Sequence, residues 1–195
     1  MIVLEGCDCA GKTTIARELA RRLLASDKLR RFEAFGLMPT WWDYSYMYVA
    51  SCKPWSVIDR FIISEFVYGK LWRDGPNIKL TNSNCMLVRE AMFKVGALTV
   101  YVRPPMETVL RRMELRGEKL LKPSDVPMVY ALFDRYLSMG LHRVRVRVQF
   151  PAAYPYLLTS CSVTQTPVVI VDGEDLKENV SSILQAYDIL QEGLE

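Results

Sequence analysis

The sequence predicts an α/β domain in three layers, with a parallel sheet of about five strands flanked by helices. Three observations carry this. Short apolar runs of strand character alternate with longer stretches of helical period, the pattern of parallel strands joined by helical crossovers. The first run passes into a glycine loop and from there directly into a helix. The chain has 195 residues, 50% apolar and 24% charged, enough to bury one core. Residues 1–195 are therefore read as a single domain.

In chain order, Met1–Leu4 is a buried strand. Residues 12–25 place Ile15, Ala16, Leu19, Ala20, Leu23 and Leu24 on one helical face and leave Arg17, Arg21 and Arg22 outside it. Residues 31–36 suit a short second strand, and the aromatic-rich 40–50 (TWWDYSYMYVA) a helix. WSVID, 55–59, is a third strand. Residues 64–72 and 81–94 read as helices, and ALTVYV, 97–102, as a fourth strand. Pro104 and Pro105 open a helix that runs to Arg116 and stops at Gly117. A helix over 124–139, a core strand PVVIV at 167–171 and a helix over 175–190 complete the series. HRVRVRVQF, 142–150, alternates arginine and valine, as in a strand with one wet face. That face is either an edge guarded by charge or a basic ridge for a polyanion.

The totals exclude several classes. No apolar run approaches the ~20 residues of a membrane span, and MIVLE leads straight into a glycine loop, leaving no secretory leader visible. Five cysteines without a regular framework suggest reduced thiols in a cytoplasmic setting, the host's if the protein is viral. A zinc site from Cys7 and Cys9 lacks a second pair. The net charge of +3 suits a small polyanion.

The first chemical motif is GCDCAGKTT. Gly6, four intervening residues (Cys7, Asp8, Cys9, Ala10), then Gly11, Lys12 and Thr13 follow a strand and open a helix, the context that a phosphate-binding loop requires. Successive N–H groups, continued through Thr14, and the helix N-terminus supply positive potential. Lys12 is expected to reach the β- and γ-phosphates of ATP, and the Thr13 hydroxyl to bind Mg2+. Cys7 and Cys9 sit where the helix dipole and Lys12 are expected to lower a thiol pKa, which allows a redox role, but the preferred reading is that they are small residues that fit the loop.

The second motif is VIDRFIISEFVYG. Asp59 ends a strand at the edge where open α/β sheets bind ligands, and suits Mg2+. Arg60 beside it can fork onto a phosphate. Ser64 and Tyr68, four apart, share a helical face.

With both motifs in hand, the chain resembles the thymidylate kinase branch of P-loop nucleoside and nucleotide kinases, and small bacteriophage-type kinases in particular. The loop acid, the DR pair, SE-x-x-YG and VYVRPPMETVLRRMELRGEK carry the likeness, over residues 1 to about 140. The resemblance implies a P-loop NTPase fold with a short lid over about 116–124. It implies ATP-dependent phosphoryl transfer to a (deoxy)nucleoside monophosphate with Mg2+ on Thr13 and Asp59. It gives Asp8 the acceptor's sugar hydroxyl and Arg60 the acceptor's phosphate. Arg112 and Arg116 become the basic residues leading into the lid, extended by Lys119 and Lys122. Phe61, Phe66, Tyr68, Trp72, Trp41 and Trp42 are candidates to stack on the base. A homodimer packed through helices is expected by the same analogy.

The chain also departs from that family. Some members carry an arginine where Cys9 stands, so its duty falls here to Arg112, Arg116 and Lys119. Gly69 replaces a common glutamine, which weakens thymine as the base. Two competing readings follow: a kinase whose acceptor is a hydroxyl, on a nucleoside or on a 5-hydroxymethylpyrimidine in DNA, and a non-catalytic nucleotide-dependent switch.

Overall fold

A computed structural model describes residues 1–36, 45–72, 82–117, 121–138, 159–160, 166–172 and 174–193. Strands β1 (Ile2–Glu5), β2 (Arg31–Ala34), β3 (Ser56–Asp59), β4 (Leu98–Val102), β5 (Thr159–Ser160) and β6 (Pro167–Val171) form one sheet in the order β2-β3-β1-β4-β6-β5. Five of these strands pair in parallel, as the alternation of apolar runs and helices requires. The two-residue β5 adds an antiparallel edge that the sequence did not announce. The alternating 142–150 segment lies outside the described residues.

The helices are α1 (Lys12–Ala25), α2 (Ser45–Ser51), α3 (Ile62–Trp72), α4 (Asn82–Lys94), α5 (Met106–Arg116), α6 (Val126–Ser138) and α7 (Leu176–Glu192). Helix α1 packs on α7 and on β3, while α3 packs on α6 and α2 on α4. Strand β1 is central and buried on both faces, which explains its unbroken apolar run. Strand β2 pairs only with β3 among the described residues and leaves Phe32 40% exposed, the burial of an edge.

Boundaries differ from the sequence reading by a residue or two. Helix α3 begins at Ile62, because an acceptor outside the helix takes up the N–H groups of its first turn. Helix α6 begins at Val126, after a 3-10 turn over Pro123–Asp125. Helix α5 stops at Gly117, whose φ of 63° is left-handed, as expected of a glycine terminator. Asp175 caps α7, its carboxylate accepting from the Glu178 N–H at 2.9 Å.

Register sets the site. Leu4 lies opposite Asp59 on one side and Val100 on the other. The loop after β1 and the turn after β3 therefore leave the sheet side by side at its carboxyl edge.

Candidate active site

The loop after β1 wraps around its own lysine. Lys12, at the first position of α1, is buried, and its ammonium donates to the carbonyls of Gly6 at 2.8 Å and Cys7 at 2.6 Å. Its Nζ lies 3.9 Å from Asp8 Oδ1. Burial, and then the Arg60 guanidinium, lower its pKa, against the pull of Asp8 and Asp59. Gly6 has a φ of 143°, and a Cβ there would stand 2.4 Å from the Val102 carbonyl oxygen. Only glycine lets the loop pass this close to β4. Gly11 and Cys9 also have positive φ, Cys7 to Ala10 are buried, and Thr14 is exposed at the helix start.

Thr13 and Asp59 meet across the sheet edge, the Thr13 hydroxyl donating to Asp59 Oδ2 at 2.5 Å. The other carboxylate oxygen, Oδ1, is buried without a hydrogen-bond partner among the described residues. A buried anionic oxygen left without a donor is costly, and a divalent cation relieves that cost. A hydroxyl and a carboxylate are hard oxygen donors, so the pair fits Mg2+.

Arg60 stands in the left-handed region at φ 69°. It is held there because its N–H donates to the Leu4 carbonyl at 2.9 Å and its guanidinium pairs with Asp8 Oδ1. That guanidinium also lies over the Tyr68 ring, 5.7 Å from the centroid. The Tyr68 hydroxyl accepts from the Asp8 N–H at 2.9 Å.

A shallow cleft, open to solvent, lies beside this cluster. Arg60, Phe61, Ser64 and Tyr68, all singled out in the sequence, line it. Glu65, part of the SE-x-x-YG motif but given no role, also lines it, as do Phe35 and Tyr48, which were missed. Phe35 had a readable signal: it follows β2 at the same sheet edge as Asp59, and its N–H bonds the Asp59 carbonyl. Phe35, Tyr48 and Phe61 form an aromatic cluster with centroids 4.8 to 6.0 Å apart. Of the other stacking candidates, Phe66 packs on Tyr136 and Trp72 stacks on Tyr68, while Trp41 and Trp42 lie outside the described residues.

Arg112 reaches the loop from α5, donating to the Ala10 carbonyl at 2.9 Å. Arg116, one turn on, is exposed. Lys119 lies outside the described residues, and Leu121 and Lys122 flank the 3-10 turn.

Two findings depart from the sequence reading. The Cys7 thiol is not activated: burial, the largest influence, pushes its pKa up to about 12 despite nearby Lys12. Glu5, which drew no attention in the sequence, is fully buried at the end of β1. Its carboxylate accepts from the N–H groups of Phe61 at 3.0 Å, Ile63 at 3.1 Å and Ser64 at 3.2 Å, and from the Ser64 hydroxyl. A charged residue ending an otherwise apolar central strand was the available signal.

A nucleotide-type phosphate loop beside a second polar cleft, at the carboxyl edge of a parallel sheet, is the layout of a P-loop kinase-like domain. A family model described as an AAA domain matches residues 2–126, and the chain belongs to that family. The SPbeta prophage-derived uncharacterized protein YorR of Bacillus subtilis (strain 168) is 25% identical over 145 residues, covering 73% of this chain and 85% of YorR. A crystal structure of YorR in complex with phosphorylated GDP matches with a TM-score of 0.72 at 17% identity, over 98% of this chain and 97% of that one. Deoxyadenosine kinase from M. mycoides, with dCMP and dCDP, gives a TM-score of 0.53 at 16% identity, over 96% and 97% of the two chains. A gluconokinase from Sinorhizobium meliloti 1021 gives 0.53 at 15% identity, over 99% and 94%. These structural likenesses establish the shared fold. No helix among the described residues is long and apolar enough to cross a membrane.

Proposed function

We propose that the protein is an ATP-dependent kinase of (deoxy)nucleoside monophosphates, of thymidylate kinase type, working as one domain with residues 116–124 as its lid. The observation that carries this reading is the adjacency of two sites. The loop that holds Lys12 and Thr13 and the cleft behind Arg60 share one sheet edge, joined through Asp8. A phosphate donor on the loop and an acceptor in the cleft then meet over Asp8 and Arg60.

The reaction moves the γ-phosphoryl group from the β-phosphate oxygen of ATP to a phosphate oxygen of the acceptor, leaving ADP. It demands alignment and cancellation of charge more than covalent help. Lys12, anchored by two carbonyls, presents its ammonium to the triphosphate. Mg2+ held at Thr13 and Asp59 would neutralise charge on the β- and γ-phosphates. Arg112 lies against the loop in the place where some relatives carry a loop arginine, and Arg116 extends that charge toward the lid. Arg60 presents its guanidinium to the acceptor phosphate, and Asp8 keeps it aimed in that direction. Phe35, the least buried of the three clustered rings, is the one nearest to a stacking role toward a base.

YorR with phosphorylated GDP and deoxyadenosine kinase with dCMP and dCDP support nucleotide ligands on this fold. The test is transfer of label from γ-labelled ATP to a panel of monophosphates, nucleosides and 5-hydroxymethyluracil-containing DNA. Label on a monophosphate is expected. Label only on nucleosides or DNA overturns the monophosphate reading, and ATP binding with no transfer turns the protein into a switch.

A further inference from the structure

We propose that Glu5 is a positioning residue that fixes the acceptor cleft to the phosphate loop. This rests on the kinase reading above. Glu5 immediately precedes Gly6, so its backbone belongs to the donor side. Its carboxylate belongs to the acceptor side, where it accepts from Phe61, Ile63 and Ser64. The N–H groups of a first helical turn have no partner inside the helix, and at α3 this side chain replaces one. The segment it holds begins at Phe61, directly after Arg60, and carries Ser64, Glu65 and Tyr68 into the cleft.

A second tie lies further along the same helix. The Asp8 N–H donates to the Tyr68 hydroxyl at 2.9 Å, so α3 is joined to the β1 loop at both its start and its middle. Loop and helix then move as one body. Releasing Glu5 loosens the cleft wall from Phe61 to Ser64, while Arg60 keeps its bond to the Leu4 carbonyl and Lys12 keeps its own anchors at Gly6 and Cys7. The consequence is asymmetric. Losing the carboxylate impairs the acceptor and spares the triphosphate.

Glu5→Gln tests this at pH 8. Calorimetry with a non-hydrolysable ATP analogue is expected to give affinity within about twofold of wild type, whereas monophosphate affinity falls by about tenfold, the loss of roughly one charged hydrogen bond. The monophosphate used is whichever of dAMP, dCMP, dGMP and dTMP the wild type binds. Equal loss for both ligands, as general loosening would give, or no loss for either, overturns the proposal. If the wild type binds none of the four, the kinase reading fails and not this inference, which amide exchange still decides. In the wild type the N–H groups of Phe61 and Ile63 are expected to exchange at least about 100-fold more slowly than free amides. Unprotected exchange at both positions overturns the proposal, whether or not the variant folds.

Discussion

The Thr13 hydroxyl donates to one oxygen of Asp59, and the other oxygen of the same carboxylate is buried without a hydrogen-bond partner among the described residues. These residues come from α1 and β3, 46 positions apart, and meet because Leu4 and Asp59 are in register. The proposed Mg2+ role of this pair rests on that one oriented oxygen and its unsatisfied neighbour.

Asp59→Asn keeps the shape of that pair and removes its charge. Turnover is expected to fall by about 100-fold or more, the scale of one preorganised electrostatic contact, while Mg2+-free ATP binding survives. Steady-state kinetics against added Mg2+ check it. Unchanged turnover removes Asp59 from the reaction.

Gly6→Ala would place a methyl group 2.4 Å from the Val102 carbonyl oxygen at a φ of 143°. The loss of stability is expected to be about 2–3 kcal/mol, from backbone strain and overpacking together. Chemical denaturation measures it. A neutral effect means that β4 and the loop are not in this contact.

Arg60→Gly and Arg60→Ala both remove the guanidinium, so both should weaken monophosphate binding alike. They should differ in stability, because φ 69° suits glycine and burdens alanine. The glycine variant is expected to be more stable than the alanine variant by about 1 kcal/mol. Equal stabilities would show that the left-handed turn is absent.

Glu5 makes stability depend on pH. Burial raises its pKa from 4.5 to about 7, against the opposing pull of its hydrogen bonds from Ser64 and of Lys12. The folded state therefore binds this proton more tightly than the unfolded state. The stabilisation is complete below pH 4.5 and is lost as pH rises through 7. Glu5→Gln has no such proton. Between pH 5 and pH 8 the stability difference is expected to move in favour of the variant by up to about 3 kcal/mol, at about 1.4 kcal/mol per pKa unit. Urea denaturation across that range checks the slope, and a flat difference contradicts it.

The sequence revealed the sheet because its interior strands are covered on both faces and so stay largely apolar, as β1 does from Ile2 to Leu4 and β4 does apart from Thr99. It revealed the loop and the DR pair because glycines and charges beside strand ends have few structural uses. It did not reveal Glu5, whose partners are backbone N–H groups of a segment some 56 positions away and leave no mark in residue type. Tyr48 was hidden by its company: in TWWDYSYMYVA every aromatic looks alike, and it takes the fold to bring Tyr48 against Phe61. The expectation of a lowered Cys7 pKa failed because proximity to Lys12 is visible in sequence and burial is not, while the reading of Cys7 as a small residue that fits the loop stands. The pairing of Arg60 with Asp8 was equally out of reach, since it depends on how two loops leave adjacent strands.

The central claim is that donor and acceptor occupy one continuous cavity. The most direct test is calorimetry with adenosine joined to a deoxynucleoside through five phosphates, in the four base versions. One of them is expected to bind at least about 100-fold more tightly than ATP, as linked ligands do when both sites are filled together, and Arg60→Ala should erase most of that gain. Binding no tighter than ATP for all four would mean that the loop and the Arg60 cleft do not face a shared space, and would contradict the kinase account.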